Sequence, residues 1–216
     1  MTRATRLNRE VVAEAALDLL DEVGLDAVST RRLAQRLGVE QPSLYWHFRD
    51  KGRLLAAMAE AAMAPHAAAP LPAPDDEPLA WFRENARSLR RTLLRRRDGA
   101  RLHAGSRPAG DDLTRITHKV TFLTAHGLPE PVARMALLAA GRFTVGSVLE
   151  EQADLAQGEA GTGPEEAVAP AVDHDAAFEA GLGFLTDGLR RHLDPGSTAW
   201  AGTLGRPGTA DERNER

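Results

Sequence analysis

The sequence predicts an all-α fold, with a three-helix helix-turn-helix unit at the N-terminus and a larger helical domain behind it. Three observations carry this. Apolar residues recur every three or four positions through most of the chain, the repeat of a helix with one buried face. No stretch alternates residue by residue as a half-buried strand does. The periodic segments begin at Asn, Ser or Asp and stop at Gly or Pro, which are helix start and stop signals.

The first helix is expected over 8–23. Asn8 suits its N-cap, Val12, Ala16, Leu19 or Leu20 and Val23 form its stripe, and Gly24 closes it with Leu25 folding back. Residues 29–47, STRRLAQRLGVEQPSLYWH, then read as two short helices around a tight turn. Ser29 and Thr30 are capping residues, Leu33, Ala34 and Leu37 share one face, and Gly38 suits the left-handed position that ends the first helix. Gln41-Pro42 opens the second, because proline in a first turn gives up an N–H that has no partner anyway. Leu44 and Phe48 face inward. Gln41, Ser43, Tyr45 and His47 point away, with Trp46 at the margin. That face suits DNA, since glutamine can bond adenine edges while serine and tyrosine reach phosphates.

A fourth helix is expected from Asp50 until Pro65, and the five prolines of 65–78 should prevent its continuation. Leu79, Phe82, Ala86, Leu89 and Leu93 then mark a helix of about four turns. Asp98-Gly99 breaks it or starts a short helix, and Arg107-Pro108 stops the next piece. Further helices run from Asp111-Asp112 to His126-Gly127, over 131–153 and over 174–193, with a loop at 158–171. The helices at 131–153 and 174–193 are apolar over wide arcs, more than one small bundle buries, so a second copy is expected to pair with them. The expected layout is a helix-turn-helix domain at 1–50, a connecting helix at 51–64 and a Pro/Ala-rich linker at 65–78. A ligand-binding and dimerisation domain follows at 79–194, with a disordered tail at 195–216.

Charge is uneven along the 216 residues, whose formal total is −4. Residues 29–53 hold six basic residues against Glu40 and Asp50, an electrostatic footprint for phosphate. Residues 83–107 hold nine arginines against Glu84 and Asp98; a run of this kind is more often a helix face that pairs with acids elsewhere. Cysteine is absent, which excludes disulfides, thiolate chemistry and cysteine zinc sites. No apolar run approaches the roughly 20 residues of a membrane span, and the start carries no signal-peptide pattern, which fits a cytoplasmic protein. Catalytic residues are not expected. Asp111 and Asp112 are adjacent acids at a helix start, and Gly181 and Gly183 match only part of a phosphate loop, with no strand before them. A metal-dependent helical enzyme built on His103, Glu150 and Asp98 is the alternative from another class, unsupported by any metal or nucleophile motif.

Residues 17–55, LDLLDEVGLDAVSTRRLAQRLGVEQPSLYWHFRDKGRLL, resemble the DNA-binding domain of the tetracycline repressor family. RRDGARLHAGSRP at 96–108 and GRFTVGSVLEEQ at 141–152 extend the resemblance into the second half. It implies a homodimeric repressor that binds palindromic double-stranded operator DNA and is released by a small-molecule inducer, with helix 41–47 in the major groove. Arg31 and Gln41 would read bases, Pro42 and Ser43 would touch nearby groups, and Thr30, Tyr45, Trp46, His47 and Lys51 would hold the backbone. It further implies a tetracycline chelated to Mg²⁺, with His103 on the metal and Glu150 reaching it through water from the other subunit. Asn85 would meet the polar edge of the drug, and Ser106, Arg107 and Pro108 would form a loop that moves on binding. The resemblance breaks at several positions: Ala67 stands where the family has a drug-contacting histidine, with His66 one place earlier. Leu89 replaces a ring position, Lys119 a glutamine and Arg142 a histidine. The segment after Gln152 is short for a helix that covers the pocket. A tetracycline held differently, another chelating polyketide-like molecule, and an unrelated hydrophobic ligand without metal are therefore the competing readings.

Overall fold

The computed structural model describes residues 7–104, 106, 108, 110–160 and 172–193. Nine α-helices and no strand occur among them: α1 (Arg9–Val23), α2 (Thr30–Leu37), α3 (Gln41–Tyr45), α4 (Lys51–Ala67), α5 (Pro78–Leu93), α6 (Gly99–Ala104), α7 (Asp111–Ala125), α8 (Glu130–Ala160) and α9 (His174–Leu193). The N-terminal signals act as expected. Asn8 Oδ1 accepts the Val11 N–H at 2.8 Å, Ser29 Oγ that of Arg32 at 3.3 Å and Asp50 Oδ1 that of Arg53 at 2.8 Å. A single 3₁₀ turn at Leu25–Ala27, not foreseen, joins α1 to α2.

Three apolar clusters organise the chain. The first gathers Val12, Ala16, Leu17 and Leu20 of α1 with Leu33, Leu44, Phe48, Leu54 and Met58, and it includes Leu102 of α6. The second joins α5, α7, α8 and α9 through Phe82, Leu123, Ala133, Phe178 and Leu182. Between them, Leu89, Leu93, Ala100 and Val148 form a small cluster on which Met63 of α4 packs. Helix α4 thus belongs to the first core at its start and to the middle cluster at its end.

Several expectations are corrected. Helix α4 passes through Pro65 and ends at Ala67. A proline this close to a C-terminus forfeits only the bond to the carbonyl four residues back, and the Ala68 N–H still reaches the Ala64 carbonyl at 2.8 Å. The proline-rich stretch behind it is pinned: Arg115 Nη2 donates to the Ala69 carbonyl at 2.6 Å, and His118 Nε2 lies 3.1 Å from the Pro72 carbonyl. Pro78 opens α5 behind Glu77, whose carboxylate accepts the Leu79 and Ala80 N–H groups. Helix α3 is five residues long, so Trp46 and His47 lie in the turn beyond it. Helix α8 runs to Ala160, past the expected end at 153. An 18-residue window within Glu130–Gln157 reaches a mean hydropathy of 1.4, so by length and composition alone this helix could cross a bilayer, although Arg134 and Arg142 interrupt it. The apolar excess lies partly on an open face: Met135, Leu138 and Leu155 of α8 and Phe184 of α9 are exposed in the single chain. The expected loop at 158–171 and tail at 195–216 fall largely outside the described residues.

Candidate nucleic-acid interface and effector site

The reading head is built from short elements. Gly38 sits at φ 65° and ψ 31°, the left-handed conformation, and the Val39 N–H closes on the Ala34 carbonyl at 3.0 Å. Leu44 and Phe48 are buried, which turns the opposite face of α3 outward. Tyr45 is 48% exposed and Trp46 89%, large aromatic surfaces that no other described residue covers. Arg31, Pro42 and Lys51 are exposed; Thr30, Gln41, Ser43 and His47 are half-buried. Gln41 Nε2 donates to Thr30 Oγ1 at 3.0 Å and lies 3.4 Å from the Tyr45 hydroxyl, so its amide is held in one orientation. The basic island is smaller than its sequence count. Arg36 turns back to Glu22 at 2.7 Å and Arg32 reaches the Ala27 carbonyl, leaving Arg31, Arg32, Arg49, Lys51 and Arg53 without an acid partner among the described residues. Arg9 packs over the Phe48 ring at 4.8 Å and reaches the His47 carbonyl at 3.4 Å, supporting the head from α1.

The second-half residues converge less completely. His66 Nδ1 lies 3.0 Å from Ser88 Oγ, bridging α4 to α5. Burial, then the nearby charges of Lys119, Arg115, His103 and Arg91, push the His66 pKa down to about 4. Lys119 is half-buried on α7, and desolvation followed by Arg115 lowers its pKa to about 8. His103 on α6 is half-buried, burial lowers its pKa, and its Nδ1 is enclosed without a hydrogen-bond partner. Ser106 donates from both Oγ and N to the His103 carbonyl, at 2.7 and 2.9 Å, and so turns the chain after α6. Asn85 is half-buried, Pro108 exposed, and Glu150 exposed on α8. Leu89 is buried in the middle cluster, packed with Leu93 and Ala100, and is core in the single chain. Arg107 lies outside the described residues.

His103 shares a crevice with Ala59, Ala62 and Met63 of α4 and Thr92, Leu93 and Arg96 of the α5 side, and this crevice is too tight for a water molecule. A roomier groove of about 270 Å³ lies elsewhere, between Glu77, Leu79, Ala80 and Arg83 of the α5 start and Thr186 and Arg190 of α9. Among the described residues no three His, Asp or Glu side chains gather where they could hold a metal within one subunit. The His103 imidazole, whose pKa burial lowers, is the one nitrogen donor of the expected set, and its Nδ1 is unpartnered among the described residues. Its chemistry suits one position on a cation otherwise held by oxygens, but a metal would need the crevice around it to open.

Residues 12–58 match the model of bacterial regulatory proteins of the tetR family, and residues 71–172 match the tetracyclin repressor-like C-terminal domain. Over 199 residues the chain is 46% identical to the tetracycline repressor protein class A from transposon 1721 of Escherichia coli, covering 87% of this chain and 92% of that protein. The chain belongs to the tetR family of bacterial regulatory proteins. Among solved structures, a TetR-family transcriptional regulator from Streptomyces coelicolor is 64% identical at a TM-score of 0.67, over 87% of this chain and 100% of that one. TetR class A in complex with 5a,6-anhydrotetracycline and magnesium is 43% identical at a TM-score of 0.72, over 86% and 99%.

One feature of this tetR-family chain was not visible as a motif. The arginine run at 90–98 is partly spent inside the protein, as the helix-face reading expected: Arg90, Arg91 and Arg96 meet acids, while the side chains of Arg95 and Arg97 have no acid partner among the described residues. Arg96 bonds Glu14, Asp18 and Asp21 of α1, and the Arg97 N–H donates to Asp21 at 2.9 Å. Asp98, at φ 54°, accepts the Leu25 N–H at 2.8 Å, and Arg101 pairs with Asp26 and Asp98. Gln152 of α8 holds the same loop from behind, donating to the Arg96 carbonyl and accepting the Ala100 N–H. The signal was present in the acids of α1: Glu14, Asp18 and Asp21 recur every three or four residues, a stripe complementary to that basic run.

Proposed function

We propose that this chain is a homodimeric transcriptional repressor that binds palindromic operator DNA in the cytoplasm and is released by a chelating polycyclic inducer of the tetracycline type, carried as its Mg²⁺ complex. The observation that carries the inducer reading is His103, whose enclosed Nδ1 has no partner and whose helix abuts α4. His103, with Glu150 of the partner subunit acting through water, would hold the magnesium, which supplies a fixed charge that orients the drug's oxygens. Asn85, Leu89, His66 and Lys119 would line the remainder, and Ser106, Arg107 and Pro108 the mobile edge. Residues 1–50 would serve as the reading head, 51–64 as the connecting helix, 65–78 as the linker and 79–194 as the effector and dimer domain.

Release follows from packing. The crevice joining His103 to Ala59, Ala62 and Met63 has no slack, so a shift of α6 is passed to α4 by contact. The far end of α4 is capped by Asp50, directly behind the reading helix, so its tilt changes the spacing of the two heads. Two heads read successive major grooves only about 34–36 Å apart, and a modest change in that distance costs one half-site its contacts. Moving the population from 1:99 to 99:1 requires the inducer to prefer the released state by about 10⁴-fold, or about 5.5 kcal/mol.

Calorimetry of tetracycline binding with Mg²⁺ and then with EDTA, paired with operator retention, tests this. Tight binding and release only with the metal are expected. Operator occupancy unchanged at saturating Mg²⁺ and tetracycline would remove this inducer. The buried-side cation Lys119 favours a second reading, a different ligand chemistry in the same place.

A further inference from the structure

Most cations along α5, α6 and the loop between them meet acids, although Arg83 bonds the Thr186 hydroxyl instead and the side chains of Arg95 and Arg97 have no acid partner among the described residues. Arg87 pairs with Glu179, Arg90 with Glu151 and Asp175, Arg91 with Glu84, Arg96 with three acids of α1 and Arg101 with Asp26. The α7 wall of the effector site is treated differently. Lys119 is half-buried and makes neither a hydrogen bond nor an ion pair among the described residues. Arg115, one turn earlier, gives its guanidinium to the backbone carbonyl of Ala69 and meets no carboxylate there. His66 faces them from α4, already engaged with Ser88 and unable to serve as an anion. The acid acting on Lys119 is Asp112, exposed at the start of α7 and a weaker influence than burial or Arg115. A half-buried ammonium without a counter-ion is costly unless something supplies one. The chain is acidic overall, so a shortage of carboxylates does not explain it.

We propose that the effector is an aromatic polycycle bearing a carboxylate, and that the Lys119 ammonium, backed by Arg115, receives that carboxylate at the α7 wall, separately from the chelating edge that meets His103. This rests on the effector-site reading above but departs from tetracycline itself, which has no carboxylate: the ligand keeps the chelating edge and carries its negative charge at a place where a neutral amide edge would leave Lys119 unpaired. Direct ammonium–carboxylate hydrogen bonding in a partly desolvated site is worth about twice a neutral bond, so the discrimination is on the order of tenfold or more. Pairing also raises the Lys119 pKa from its depressed position. Binding near pH 8.5 therefore draws a proton onto the lysine, in surroundings that otherwise hold His66, His103, Arg91, Arg115 and Asp112.

The test uses the full-length dimer and a matched pair of probes, the anthraquinone carboxylic acid rhein and its methyl ester, which share one hydroxy-keto edge and differ in one charge. Calorimetry with Mg²⁺ at pH 7 should show the acid binding on the order of tenfold tighter than the ester. Lys119→Gln should bring the ratio near one by weakening the acid alone, and Lys119→Arg should retain it; thermal melting checks that both variants fold. At pH 8.5 the acid's binding enthalpy should depend on buffer ionisation in the wild type and not in Lys119→Gln. Equal affinities in the wild type, a preference that survives Lys119→Gln, or no binding of either probe would overturn the proposal. None of these touches the release of operator by magnesium tetracycline, which decides the inducer reading by itself. Discrimination through Lys119 with no response to tetracycline would leave the carboxylate inference standing and remove that inducer.

Discussion

At the scale of single residues, the interior of the proposed effector site is set by what burial does to charge. His66 stays neutral because its surroundings are partly dry and cationic, with its pKa at about 4 against an ordinary 6.5. Between those values the unfolded chain binds the proton and the folded chain does not, so stability is full above about 6.5 and declines as pH falls toward 4. Thermal melts across that window should show the loss, and His66→Gln, which keeps a partner for Ser88, should flatten it. Lys119 has the same sign at higher pH: its depressed pKa means that stability rises as pH increases from about 8 toward 10.5. On the reading face, Gln41 is oriented by Thr30. Gln41→Ala should cost about 1–3 kcal/mol of base discrimination. Anisotropy titration against an operator selected by the wild type, and against single base-pair variants of it, gives that number.

At the scale of elements, two glycines separate what backbone and side chain can absorb. A Cβ on Gly99 would collide with the Leu93 carbonyl oxygen, a backbone atom that cannot move without breaking the turn from α5 to α6. A Cβ on Gly181 would meet the Phe143 ring, which is only half-buried and stacked on Phe178 at 5.4 Å. Gly99→Ala should therefore destabilise by about 2 kcal/mol or more and Gly181→Ala by less, as chemical denaturation would show. The polar clasp that ties the loop before α6 to α1 is the second joint between head and body, beside α4. Arg96→Ala removes bonds to three α1 acids at once. It should cost roughly 1–3 kcal/mol and loosen the head relative to the body, read as faster amide exchange in α1. A variant with native exchange there would show that α4 alone joins them.

At the scale of the whole molecule, the open apolar faces of α8 and α9 and the unpaired cations of the head belong to one design, because a palindrome needs two heads at a set spacing. If each subunit neutralises about four phosphates, the logarithm of operator affinity should fall against log salt with a slope near −7. A slope near half that value would mean that one head engages at a time.

The sequence by itself determined the helix order, the reading head and the family, because those rest on local rules. Asn8, Ser29, Gly38, Pro42 and Asp50 act within a few residues of themselves, and the periodic apolar stripes need no partner to be recognised. It also placed His103 and Lys119 in the same expected domain, 79–194, without saying what surrounds them. The tertiary structure decided the rest. Only packing shows that Arg96 of the arginine run is consumed by α1, that Arg36 is lost to the DNA face, that helix α4 survives Pro65, and that Leu89 is core. Charge pairing and burial depend on residues 60 to 80 positions away in sequence, such as Arg96 with Asp21, 75 residues apart. No local pattern carries that distance, so whether a charged group is spent or kept for a ligand is a property of the fold.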